Sequence, residues 1–106
     1  MKFYCPKTPL QDAVSTAIKA ASAKSAIPAL EGLLIKADDT LTISGYNLEI
    51  GIICKIDATV TEKGSAIFNA KLFSEIVRKL PNDTVYITVD EDNKITIKCG
   101  LSVFDL

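Results

Sequence analysis

Apolar residues change period several times along the chain, and each change marks an element. Between residues 69 and 81 they fall at Leu72, Phe73, Ile76, Val77 and Leu80. That spacing makes one stripe on an α-helix and has no meaning on a strand. Asn69 is placed to cap the first turn, and Phe68 to staple onto Phe73 across the cap. Pro81 cannot continue the helix and closes it. The opposite face carries Lys71, Ser74, Glu75, Arg78 and Lys79, and is mostly basic. A second helical pattern begins at Thr8-Pro9-Leu10-Gln11, with Thr8 as the cap, Pro9 at the first position and Gln11 reaching back. Leu10, Val14, Ala17, Ile18 and Ala21 then share one face of a helix running to about Ala23. Its alanines favour helix and are small enough to let a neighbouring element approach closely.

The remaining segments read as strands. Residues 2–5 form a short one stopped by Pro6, and residues 24–28 a loop, because the residue before Pro28 is pushed out of the helical region. Residues 29–37 and 40–45 flank the turn Asp38-Asp39, with alternation at Leu41 and Ile43 that marks one wet face. Residues 47–60 read as one longer strand interrupted near Gly51, and 61–64 as a polar turn. The pattern then restarts with a strand at 65–68, the helix at 69–80, a hairpin of 84–89 and 94–99 around the acidic turn at 90–93, and a last strand at 101–106. The order is strand, helix, three strands, twice over, with internal repeats at about 1–60 and 61–106. Two such units place two helices together on one side of antiparallel strands, an α+β layer fold in a single domain spanning 1–106.

Charge changes this picture more than composition does. The 106 residues carry a net charge of −1, with 48% hydrophobic and 24% charged residues, as a globular chain should. Residues 7–24 nevertheless sum to +2 and residues 69–80 to +2, so the rest holds −5. Cations gathered on two helix faces, with no aromatic among them, suit sequence-independent contact with a phosphate backbone. Base readout or stacking on single strands needs other side chains there. The same charge also serves simply to keep a helix face solvated, and on that reading this is an α+β protein-interaction domain without DNA function.

Other chemistries find little support. The chain has no histidine, so the commonest general base is missing, and with no CxxC pair a zinc site is excluded. Cys5, Cys54 and Cys99 stand inside apolar strand-like runs at unrelated spacings, as buried reduced thiols do. The acidic run 90–93 fails as a calcium loop, because Lys94 stands where an oxygen ligand is needed. No cofactor and no metal are expected, and no enzyme activity. There is no apolar run near 20 residues and no secretory h-region, so no membrane association is expected and the expected compartment is cytoplasmic.

Several short stretches carry a resemblance. The opening MKF, the loop KSAIPAL at 24–30, the run LLIKA at 33–37, SGYNLE at 44–49 and the helix NAKLFSEIVRKLP stand in order over essentially the whole chain. Together they resemble the N-terminal domain of the bacterial sliding clamp, the DNA polymerase III beta subunit. That resemblance implies the DNA-clamp fold, as the first of three such domains in a subunit whose homodimer closes into a ring. It implies helices lining the hole, sheets forming the outer wall, and a processivity factor that encircles double-stranded DNA and tethers the replicative polymerase without catalysis.

The resemblance also suggests roles by position. Lys24 matches a basic DNA-contacting residue of the loop, and Lys71 and Arg78 match basic positions of the second pore helix. Lys19 and Lys79 join them from the helix faces. Phe104 and Leu106, with Val103 beside them, match the strand by which the family's first domain meets the third domain of the other subunit. Leu101 and Val103 stand where the family often has basic residues, which implies a more apolar ring interface. Polymerase and clamp loader bind the family's last domain, so those partners are implied only through domains absent from this chain.

Overall fold

The computed structural model describes residues 1–21, 32–47 and 49–106. Its elements are β1 (Lys2–Pro6), α1 (Lys7–Ala17), β2 (Gly32–Ala37), β3 (Leu41–Tyr46), β4 (Gly51–Ile56), β5 (Thr59–Glu62), β6 (Gly64–Asn69), α2 (Ala70–Lys79), β7 (Thr84–Val89), β8 (Ile95–Cys99) and β9 (Ser102–Asp105). The strands form two antiparallel sheets. Sheet A has five strands in the order β5-β1-β7-β8-β9, and sheet B four in the order β4-β3-β2-β6.

The strand before each helix does not join the strands after it. β1 leads into α1 and then β2, yet it pairs with β7 in sheet A. β6 leads into α2 and then β7, yet it pairs with β2 in sheet B. Each helix therefore carries the chain from one sheet to the other. α1 lies along β3 and β4 and touches β1, α2 lies along β2 and β6, and the two helices pack on each other.

Register fixes which side chains meet in the core. Val60, Phe3, Ile87, Ile97 and Phe104 stand opposite one another across all five strands of sheet A. Ala66, Ile35, Ile43 and Cys54 do the same across sheet B. Phe3, Ile35, Ile43, Ile87 and Ile97 are buried together with Leu10, Val14 and Ala17 of α1 and Phe73, Ile76 and Val77 of α2, in one contiguous core. A one-residue slip of any central strand would turn its apolar set to solvent, so burial enforces the register.

Local signals explain the helix ends. In α2 the Asn69 side chain accepts a hydrogen bond from the Leu72 N–H at 2.9 Å, capping the first turn as expected. Phe68 and Phe73 meet edge-to-face at 4.8 Å, which completes the staple. Leu80, forced out of the helical region by Pro81, ends the helix in extended backbone. α1 departs from expectation at both ends. It begins at Lys7 behind Pro6, without a side-chain cap, and Thr8 lies inside it. It stops at Ala17 rather than near Ala23, followed by bonds of the i to i−3 kind from Lys19, Ala20 and Ala21. Thr16 turns its hydroxyl back onto the Asp12 carbonyl at 2.9 Å, a bond that competes with the helical ladder there. The helical reading of residues 22 and 23, like the loop reading of 24–28, lies outside the described residues.

The expected long strand over 47–60 is in fact two, broken at Asp57-Ala58 and divided between the sheets, with Gly51 opening β4. Residues 61–64 are not a turn either, for Lys63 alone separates β5 from β6. Continuous apolar alternation hid this corner, because both strands bury the same parity of side chain. The acidic turn behaves as a turn. The Asp90 carboxylate accepts from the backbone N–H groups of Asp92 and Lys94, both at 2.9 Å, and Asn93 takes the left-handed conformation.

At Gly45 the backbone of Ala17 at the end of α1 lies directly against sheet B. A Cβ there would overlap the Ala17 carbonyl oxygen, so Gly45 cannot gain a side chain without moving the helix. Gly45→Ala should cost about 1–3 kcal/mol, the range for forcing volume into a packed core, read as a lower urea midpoint. An unchanged midpoint would show that α1 can retreat freely. The cysteines give a second check. All three are free, with Cys5 and Cys99 buried and Cys54 half-buried at the edge of sheet B. Burial pushes the Cys5 thiol up to about 12 and also raises Cys99. An aromatic disulfide reagent at pH 8 should label Cys54 first, with Cys5 and Cys99 reacting only at the rate of unfolding. Equal labelling of all three would contradict this core.

Candidate nucleic-acid interface

The surface that the sequence marked as basic centres on α2. Lys71, Arg78 and Lys79 are all exposed, and none of the ion pairs among the described residues involves them. Lys71 and Arg78 lie two turns apart on one stripe, about 10 Å at the helical rise. Arg78 and Lys79 occupy the last turn, where the helix dipole is negative and favours cations. Glu75, between the stripe's ends, is half-buried and is the one acidic residue of the helix.

Two features of this face did not follow from the sequence. Leu72, expected in the buried stripe, is 46% exposed. Ala70 takes the inward place, with Phe73, Ile76 and Val77. The other is Lys7, whose ammonium donates to the Arg78 carbonyl at 3.3 Å and to the Leu80 carbonyl at 2.5 Å. It thus caps the C-terminus of α2 from the first turn of α1. Next to it the Lys7 N–H donates to the Asp83 carbonyl at 3.2 Å. A signal for this was available, since a lysine in the first turn opposes its own helix dipole unless its charge is used elsewhere.

α1 does not mirror α2. Its exposed positions are Thr8, Pro9, Asp12, Ser15 and Thr16, with Lys19 on the turn that follows. Since Lys7 is spent on α2, the described part of this segment offers Lys19 against Asp12. Lys24 lies outside the described residues. The expected equality of two basic helix faces is therefore not found within them, and the cations concentrate on α2.

Of the residues expected at a subunit interface, Val103 and Phe104 lie on β9, an edge strand of sheet A, and Leu106 just beyond it. Phe104 and Leu106 are half-buried and pack against the core, and Val103 alternates to the outer face, 58% exposed. Leu101, just before the strand, is fully exposed.

No three His, Cys, Asp or Glu side chains among the described residues are grouped to hold a metal ion. An open groove of about 410 Å³ runs beside Tyr4, Tyr86 and Asp57. No helix among the described residues is long and apolar enough to cross a membrane.

A basic helix face, two sheets behind it and exchanged opening strands together describe a known architecture. The profile of the DNA polymerase III beta subunit, N-terminal domain, matches residues 1–106. The chain belongs to that family. It is 34% identical to the beta sliding clamp of Bacillus subtilis, covering 100% of this chain and 30% of that protein. Against the beta sliding clamp of Streptomyces coelicolor the identity is 33%, over 100% and 28%. The crystal structure of the Bacillus subtilis DNA polymerase sliding clamp superposes with a TM-score of 0.95 at 35% identity, over 100% of this chain and 30% of that one. The beta subunit of Streptococcus pyogenes DNA polymerase gives 0.93 at 28% identity, over 100% and 29%. The chain thus spans under a third of the length of the relatives it matches. Two helices on two antiparallel sheets are the clamp fold that the sequence led us to expect.

Lys7 offers a direct check on how this face is held. Lys7→Met removes the capping ammonium and keeps the side chain's bulk. It should lower stability by about 1–2 kcal/mol, the scale of charge-assisted hydrogen bonds at a partly exposed helix end. Amide exchange should quicken at Arg78, Lys79 and Leu80 before it does in the sheets. Exchange that quickens uniformly would assign Lys7 a general role rather than a local one.

Proposed function

We propose that this chain is the first domain of a sliding clamp, a ring-forming processivity factor that encircles duplex DNA and tethers the replicative polymerase. The observation that carries the proposal is the exposed cationic face of α2 on a chain of the beta subunit family. On this reading Lys71, Arg78 and Lys79, with Lys19 and Lys24 from the neighbouring segment, face DNA phosphates across water. Such attraction is sequence-independent and falls steeply with salt. A clamp must hold without gripping, so exposed, separated cations suit it better than buried ion pairs.

Membership of the beta subunit family supports the rest of the reading. The domain has no catalytic or cofactor role, and works in the cytoplasm. Two further domains complete a subunit and two subunits close the ring, in which polymerase and clamp loader bind elsewhere than on this domain. β9 has an open edge ready to continue into a partner's sheet, where Phe104 and Leu106 would complete their burial and Val103 would lie at the outer rim.

Charge reversal tests the DNA-facing assignment. Lys24→Glu, Lys71→Glu and Arg78→Glu together, in the intact protein that carries this chain, should shorten its residence on closed circular DNA after loading. The slope of log retention against log salt should flatten by about 0.9 for each phosphate that the protein no longer neutralises. Residence and slope equal to those of the unaltered protein would sink the assignment.

A further inference from the structure

Sheet B breaks its own alternation. Its inner rows are apolar, as the core demands, and the outer face should be polar. One outer row is not. Ile67 on β6, Leu34 on β2, Ser44 on β3 and Ile53 on β4 stand directly opposite one another. The three aliphatic members are 55%, 43% and 68% exposed respectively. With strands about 4.8 Å apart, the row is about 14 Å long. Tyr46 flanks it on one side, its ring lying where a side chain at Gly51 would otherwise sit.

The next outer row holds the charge. Two residues further along β2 and β4, about 7 Å away, stand Lys36 and Lys55, aligned through Thr42. Neither belongs to the ion pairs found among the described residues. Asp38, two residues beyond Lys36, is already held by Lys63 at 3.1 Å. The outer face therefore presents an aliphatic row and a parallel pair of lysines.

We infer that this face docks an amphipathic helix of a partner protein, with aliphatic residues along one stripe and carboxylates along the adjoining one. The dimensions fit that occupant. Anchors at i, i+3 or i+4, and i+7 span about 10 Å of helix axis, inside the length of the row, and a helix about 10 Å wide reaches the lysines beside it. Charge complementarity sets its orientation, since turning it over would set its carboxylates away from Lys36 and Lys55. A second copy of this chain is a poor occupant. Of the described helices, α2 shows a basic face and α1 a largely uncharged one, so neither combines an apolar stripe with carboxylates. The proposal does not depend on the DNA-facing reading, because none of its residues lies on the helices.

A synthetic helical peptide with leucines at i, i+3 and i+7 and glutamates on the adjoining stripe is the probe. Added to the intact protein that carries this chain, it should shift the methyl resonances of Leu34, Ile53 and Ile67. Ile53→Ser should weaken it at least fivefold, and Lys36→Glu with Lys55→Glu about tenfold, the scale of paired charges at an interface. All three positions are exposed, so these variants should fold. A peptide with lysines in place of the glutamates should bind the doubly reversed protein and not the original, a recovery that general stickiness would not produce. The proposal fails if the three methyls do not move. It also fails if charge reversal on either side changes nothing, or if the methyls shift with protein concentration alone, which would assign the face to self-association.

Discussion

The exchange of opening strands is the constraint from which the rest of this structure follows. β1 belongs to the sheet built by β7, β8 and β9, and β6 to the sheet built by β2, β3 and β4. Neither half of the chain can complete its sheet without a strand from the other. Both helices are consequently connections between sheets. α1 and α2 pack on each other and place their apolar stripes on one core. Most stabilising contacts are then distant in sequence, an arrangement that folds slowly but leaves little freedom in the relative placement of the helices.

That placement is finely held where it bears on charge. The Gly45 contact seats α1 against sheet B, and the seated helix delivers the Lys7 ammonium to the last carbonyls of α2. The C-terminus of α2 thus gathers Lys7, Arg78 and Lys79 around partial negative charge, which offsets part of their mutual repulsion. Lys7 faces inward to the backbone, and Arg78 and Lys79 remain exposed. One cation fixes the helix so that the others are presented from a rigid base. On the proposed reading such rigidity matters, because cations that act by long-range attraction cannot be organised afterwards by close contact.

Much of this could be read from residue spacing, and the exceptions share a cause. Asn69, Phe68, Phe73 and Pro81 act through neighbours within one or two turns, and the structure uses each as its position suggested. The hairpin of β7 and β8 was equally visible, because its alternation and its turn are local. What spacing cannot carry is the identity of a partner strand. The corner at Asp57-Ala58 and the exchange of β1 and β6 went unseen because alternation reports which face is buried, not in which sheet. Lys7 was miscounted for a related reason. Summing charge by segment assigns a lysine to the face of its own helix, whereas its long stem reaches the end of another. Leu72 shows the reverse limit, since a helix offering five apolar side chains and Ala70 had room to bury the alanine and leave the leucine out.

The asymmetry between the two helices bears on how strongly such a domain could hold a polyanion. Segment charges suggested two equal basic faces, but the described part of the first retains Lys19 against Asp12, and the second has Glu75 among its cations. At physiological ionic strength, charges on either side of a water-filled gap wider than about 8 Å are largely screened from each other. A handful of exposed lysines and arginines across such a gap gives an attraction that loosens readily and reforms at the next phosphate. Dense, paired or buried cations would act differently, each fixed contact adding to a barrier against translation. On the proposed reading the sparse face is therefore not a weak version of a tight binding site. It is what a surface would need if, as proposed, retention came from enclosure and the electrostatic part had to stay small enough for motion along the strand.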